Sequence, residues 1–199
     1  MHNYLSSKKA QDEAIIYRVL EGDREAFAVL IKRYGKFVEA IAAKHVPPSW
    51  VADVAQETFL KAFRSLNGIE RPNLFKQWLG TIAVRSCYDF LRRHYREQEV
   101  SLNSLGDNHR RLLSQFIAQT SDEFWQDKQN RNQAHEILNW AFKQLGAKDS
   151  MVLKLVHLEE MSIRDVAQTM GWSIANVKVR AFRARKKLCK ILIEQKRDL

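Results

Sequence analysis

Turn-forming residues are scarce in this chain: its 199 residues include three prolines and seven glycines. An all-β fold needs many tight turns, so the shortage argues against one and for helices. Cysteine is equally rare. Cys87 and Cys189 stand far apart, outside any CxxC or Cys/His spacing, which leaves no zinc or disulfide framework and suggests plain thiols, buried or half-buried. No stretch approaches the roughly 18 apolar residues of a membrane span. The opening Met1-His2-Asn3-Tyr4 lacks the apolar core of a secretion signal. The expectation is a cytoplasmic, reduced protein with no membrane insertion. With no metal-ligand spacing, no cofactor motif and no fixed-period repeat, neither metal nor cofactor is expected.

What is present is positive charge. The net charge is +10 and unevenly spread: residues 1–96 hold 16 Lys and Arg against 10 acids, residues 97–128 hold 3 against 6, and residues 129–199 hold 14 against 7. Two basic blocks thus flank an acidic stretch. Basic surfaces attract phosphate and gain from counterion release, so nucleic acid is the leading partner class, with an acidic membrane surface or simple solubility as alternatives.

Apolar residues recur at steps of three and four. A short helix over residues 12–20 ends at Gly22, and Asp23 caps a longer one whose buried positions are Phe27, Leu30, Ile31, Tyr34, Val38 and Ile41. Pro47-Pro48 stops it, and Ser49 is placed to cap a helix over residues 50–65 that buries Val54, Phe59, Leu60 and Phe63. Residues 67–73 read as a loop. A helix over residues 74–95 follows, with Phe75, Trp78, Leu79, Ile82, Ala83 and Phe90 in one stripe and Tyr88 and Tyr95 outside it. Residues 97–129 read as a flexible linker, polar and acidic, although Leu112, Leu113, Phe116 and Ile117 could make one amphipathic turn and Phe124 and Trp125 could dock. A second helical block starts near Asn130. Gly146 ends its first helix, and Asp149 or Ser150 caps the next. The fold class is all-α: two small helical domains, residues 10–96 and 130–195, joined by that linker.

The most specific local signal lies at residues 162–187. Ala167, Gly171 and Val177 have the spacing of a helix-turn-helix: a small residue for close approach, a glycine for a left-handed turn and a β-branched residue facing the core. Ser162 and Ser173 are N-cap candidates for helices over residues 163–170 and 174–192. Between Lys178 and Lys190 there are seven Lys or Arg and no acid, around a narrow apolar stripe of Val177, Ala181, Ala184 and Leu188. Ala175, Asn176, Lys178 and Val179 are candidates to meet base edges at the helix start, and the later Arg180, Arg183, Arg185 and Lys187 to meet phosphate, with Ser173 and Phe182 also among the candidate DNA contacts. The plain alternative is a solvated basic helix.

On the helix over residues 50–65, Asp53, Gln56 and Glu57 share an exposed side. Paired carboxylates can serve acid–base chemistry, but no partner at a recognisable spacing supports that, so no catalytic residue is expected. The segment Asp53-Val54-Ala55-Gln56-Glu57-Thr58-Phe59 resembles the D-x-x-Q-E-x-F signature of region 2 of bacterial sigma factors. Phe75-Lys76-Gln77-Trp78-Leu79, then Ile82-Ala83 and Asp89-Phe90-Leu91-Arg92-Arg93, resembles that region's promoter-melting segment, and residues 177–185 resemble region 4. With regions 2 and 4 alone, in this order, the chain is similar to the extracytoplasmic-function group.

That resemblance implies roles. Asp53, Gln56 and Glu57 would contact the clamp helices of core RNA polymerase, whose β and β′ subunits are the implied partners. Asn67, Gly68, Ile69, Glu70, Arg71 and Asn73 would capture an unstacked base of the −10 element of promoter DNA, Arg85 would lie near the melted strand, and Lys76, Arg92, Arg93 and Arg96 could track the backbone. The helix-turn-helix would read the −35 element, and an anti-sigma factor is the implied regulator. Three positions depart from the family pattern: Arg85 where Asn is frequent, Val179 where a small polar residue is common, and Gly146 where proline is usual. Two competing classes remain: a helix-turn-helix regulator that needs no polymerase, and an enzyme acting on nucleic acid.

Overall fold

A computed structural model describes the backbone of residues 2–98 and 138–197 and the side chains of residues 11–94 and 138–193. Among these residues every regular element is helical and there is no strand. The expected linker beyond Gln98, the amphipathic turn at Leu112, Leu113, Phe116 and Ile117, the docking candidates Phe124 and Trp125, the helix start near Asn130 and the Tyr95 and Arg96 side chains lie outside the described residues. The chain divides into two compact units, Met1–Phe90 and Leu91–Leu199.

The first unit contains α1 (His2–Leu20), α2 (Phe27–His45), α3 (Val51–Ser65) and the beginning of α4 (Phe75–Gln98). α1 starts ten residues earlier than its apolar pattern suggested. It ends where expected, at Gly22 with φ +112°, a conformation that costs a residue with a Cβ dearly. Asp23 accepts a hydrogen bond from the Ala26 N–H at 3.1 Å. It caps a 3-10 turn, Arg24–Ala26, that leads into α2. Arg18 donates to the Asp23 carboxylate at 2.6 Å and, with the backbone bond, holds its pKa below the ordinary value. α2 stops at Val46, which is extended ahead of Pro47, as the bulk of a following proline ring requires.

Ser49 does not cap α3. Pro47-Pro48 sets a 3-10 turn, Pro48–Trp50, so the chain enters α3 through Trp50 with no side-chain cap. The buried face of α3 is also shifted. Ala55, Thr58, Phe59 and Ala62 are inside, whereas Leu60 and Phe63 are exposed, as is Ile31 on α2. One helix face holds about half of the positions, and small residues let α2 and α3 come close there. Phe63 still meets Phe27 edge-on, ring centroids 5.1 Å apart.

Phe27, Leu30, Tyr34 and Val38 of α2 and Phe75, Leu79 and Ala83 of α4 complete this core, with Trp78 and Ile82 packed at its margin. Trp78 therefore packs as its helical spacing suggested. Burying each large side chain contributes about 1.5–3 kcal/mol. A polar knot secures α1 on α2: Asp12 is buried and accepts from both Arg33 and the Tyr34 hydroxyl. Burial, and then the Asp12 carboxylate, push the Tyr34 pKa up.

In the second unit, residues 138–143 are helical. Gly146 then serves as the N-cap of α5 (Ala147–Leu153), in extended conformation and with no side-chain bond. Neither Asp149 nor Ser150 caps this helix; Asp149 lies in its first turn. α5 loosens into a π-helical turn, Lys154–Leu158. α6 (Ile163–Met170) and α7 (Ile174–Arg197) follow. Phe142, Leu145, Leu153 and Ala184 form a core lined by Leu138, Leu188 and Ile191. Cys87 is buried and Cys189 is exposed.

Candidate nucleic-acid interface

The turn between α6 and α7 follows local rules closely. Ser162 accepts from the Asp165 N–H at 3.1 Å, and its hydroxyl donates to the Asp165 carboxylate at 2.6 Å. The first of these bonds satisfies one orphan backbone donor of α6, and the second holds the Ser162 hydroxyl in place for it. Gly171 is left-handed, φ +68°, and the Trp172 N–H reaches back to the Ala167 carbonyl at 2.9 Å, closing α6 as a glycine cap does. Ser173 then accepts from the Asn176 N–H at 3.2 Å and starts α7. Ala167, Val177, Ala181 and Ala184 are buried. Small side chains on both helices allow the close approach, and α7 keeps one broad face outward.

Ser173, Ala175, Asn176, Lys178, Val179, Phe182, Arg183, Arg185 and Lys187 are all exposed. Phe182 is 64% exposed and Val179 49%, an apolar pair one helical turn apart on the outward face. Arg180 differs from its neighbours. It is half-buried, its guanidinium 2.7 Å from the Asp149 carboxylate of α5 and 5.5 Å from the centre of the Trp172 ring. Sequence reasoning missed both partners. Asp149 is 31 residues away, and no local pattern could have paired them.

On α3, Asp53 and Gln56 are exposed and Glu57 is half-exposed. Lys61, one turn later, lies 3.7 Å from Glu57 and 2.9 Å from Asp89 of α4. The acidic strip thus has a neutralising cation at one end, and that cation joins α3 to α4. Lys61 follows Glu57 by four residues, a pairing distance on a helix that is visible in the sequence.

The segment read as a loop is partly folded, through the 3-10 turns Leu66–Gly68 and Pro72–Leu74. Asn67, Gly68, Glu70, Arg71 and Asn73 are exposed. Ile69 is not: it is half-buried and packs on the first unit's core, so its role there is structural. Lys76 is exposed with its ammonium 4.9 Å from the Phe37 ring centre. Arg85, Arg92 and Arg93 project from α4, exposed, and Tyr88 is half-buried. Among the described residues no group of His, Cys, Asp or Glu is arranged to hold a metal ion. Among them, no helix is long and apolar enough to cross a membrane.

An all-helical chain that presents a basic helix-turn-helix in one unit and an acidic helical strip in the other has the make-up of a DNA-binding transcription protein. The Sigma-70 region 2 family model matches residues 30–97 and the Sigma-70, region 4 model matches residues 136–188. Together they cover more than half of the chain, which belongs to the sigma-70 family and, within it, to the extracytoplasmic-function group. The ECF RNA polymerase sigma-E factor of Escherichia coli (strain K12) is 28% identical over 182 residues, 90% of this chain and 93% of that protein. The sigma-E factor of Haemophilus influenzae is 27% identical over 181 residues, 90% of this chain and 94% of that protein. A solved structure of CnrH in complex with the cytosolic domain of CnrY shares the fold. Its TM-score is 0.51 at 22% identity, and the match covers 92% of this chain and 97% of that one.

Proposed function

We propose that this sigma factor is a dissociable, non-catalytic subunit of core RNA polymerase whose two regions divide promoter recognition between them. One observation carries the reading: a single chain bears both an exposed acidic strip on α3 and a helix-turn-helix with a basic outer face on α7. A regulator acting on duplex DNA alone has no use for the first.

In this division, residues 10–96 bind polymerase through Asp53, Gln56 and Glu57. They meet the −10 element through Asn67, Gly68, Glu70, Arg71 and Asn73, with Lys76, Arg85, Arg92 and Arg93 on the backbone. Melting needs a base held outside the stack, and exposed polar groups beside cations suit that task. Residues 130–195 read the −35 element. Ala175, Asn176, Lys178, Val179 and Phe182 face base edges, where Val179 and Phe182 suit thymine methyl groups. Ser173, Arg183, Arg185 and Lys187 fix the register on phosphate. Each site alone is weak, and joining them through residues 97–129 raises the effective concentration of the second once the first is bound. The partners are core polymerase, promoter DNA and an anti-sigma factor, and the place of action is the cytoplasm.

Run-off transcription with purified core polymerase tests the reading. Added protein is expected to start transcription from a subset of promoters. Tight binding to duplex DNA with no initiation at any promoter would falsify it in favour of an independent regulator.

A further inference from the structure

We propose that Arg180 is a positioning residue: clamped by Asp149, it fixes the orientation of Asn176 for base reading and does not itself hold DNA. The inference rests on the −35 role proposed above for α7.

Arg180 sits within the basic stretch, one turn from Asn176 and from Arg183, where charge counting makes it one more phosphate contact. Its surroundings point elsewhere. Nη1 lies 2.7 Å from Asp149 Oδ1, and the two side chains are only 30% and 25% exposed. The guanidinium carbon also lies over the Trp172 ring, 5.5 Å from its centre. Nε reaches Asn176 Oδ1 at 3.4 Å, a long contact. Two of the five N–H donors of this arginine are engaged inside the protein, one of them on a carboxylate. Swinging out to a phosphate would strand a partly buried carboxylate beside the DNA, a penalty that offsets the new contact.

The same geometry acts on Asn176. Its backbone is set by Ser173, and its side-chain carbonyl is turned toward Arg180. The amide –NH2 is then the group presented outward. An amide held this way donates, so it favours base edges rich in acceptors, such as guanine O6 and N7, over the paired donor and acceptor of adenine. Asp149, Asn176, Val179, Arg180 and Arg183 also line one open cleft on this face. The acid is therefore part of the reading surface, and its charge is neutralised there only while Arg180 holds it.

The test uses the full chain bound to core polymerase and a promoter library randomised across the −35 element, sequenced after selection for initiation. The same selection is run over a salt series, and the melting temperature of each variant is measured. Arg180→Met, Arg180→Lys and the near-isosteric Asp149→Asn are compared. The proposal expects all three to flatten the preference at one and the same base position by about fivefold. Other positions and the salt slope of Arg180→Met should stay as in the parent. Lysine keeps the charge but lacks the planar fork that serves Asp149, Asn176 and Trp172 together, so it should not rescue.

Suppose instead that Arg180→Met weakens all sequences evenly and lowers the salt slope by about one, while Arg180→Lys restores both. Arg180 is then a phosphate contact and the proposal is overturned. Base preferences that superimpose on the parent's, with only melting temperatures lowered, overturn it too, in favour of a purely structural ion pair. If the parent holoenzyme itself selects no −35 sequence, the proposed function fails and this inference falls with it.

Discussion

The acidic strip of α3 and the basic face of α7 solve one problem with opposite signs. Each presents like charges on one side, and each has a counter-charge close by: Lys61 between Glu57 and Asp89 for α3, Asp149 against Arg180 for α7. In both, one charged group is turned inward to tie the functional helix to a neighbour, and the rest face out. A count of charges along a sequence therefore overstates the surface offered to a partner. The two units differ in what lies beneath. The first has an aromatic core, Phe27, Tyr34, Phe59 and Phe75, with a buried Asp12 knot. In the second, buried Val177, Ala181 and Ala184 let α7 lie close to the rest of its unit.

The largest expected effect separates the cores. Phe75→Ala should cost the first unit about 3–5 kcal/mol. In calorimetry one transition should fall while the other keeps its midpoint, and a common drop of both would show that the units do not melt independently. Next is charge reversal on the acidic strip. Asp53→Lys with Glu57→Lys should weaken core polymerase binding at least about tenfold. Folding stability should fall by only about 1 kcal/mol, from the lost Glu57–Lys61 pair and a cation placed in the first turn of α3. Retained affinity in a pull-down titration would remove α3 from the polymerase contact. Gly171→Ala should cost the second unit about 1 kcal/mol through its left-handed backbone, and urea midpoints with unchanged slope would report it.

The smallest effect is confined to alkaline pH. The Tyr34 pKa is raised from an ordinary 10.0, so the folded state retains its proton longer than the unfolded state. The resulting stability is fully present below pH 10.0 and is lost as pH rises toward the folded value. Tyr34→Phe should flatten this alkaline decline in urea midpoints. A variant curve parallel to the parent's would mean that the hydroxyl contributes no linkage.

The helix-turn-helix was the most legible part of the chain. Ser162, Gly171, Ser173 and Val177 act through bonds spanning three to five residues, so their spacing already states the geometry. The polymerase contacts proposed on α3 are legible only through resemblance, because an exposed Asp53 or Gln56 has no intrinsic signature. The errors have physical causes. Ser49 lost its capping role to a turn set by two prolines. Leu60, Phe63 and Ile31 were counted as buried because a 3.6-residue period marks more apolar positions than one face can cover.

What the sequence by itself determined is therefore what short-range chemistry controls: an all-helical chain, where most helices stop, the left-handed Gly171 and the basic strip on α7. Tertiary structure decided which members of each strip look outward. Ile69 turned to the core, Lys61 bridged two helices, and Arg180 met Asp149 across 31 residues. An ion pair forms wherever folding brings two charges within a few ångströms, and no period along the chain records that distance.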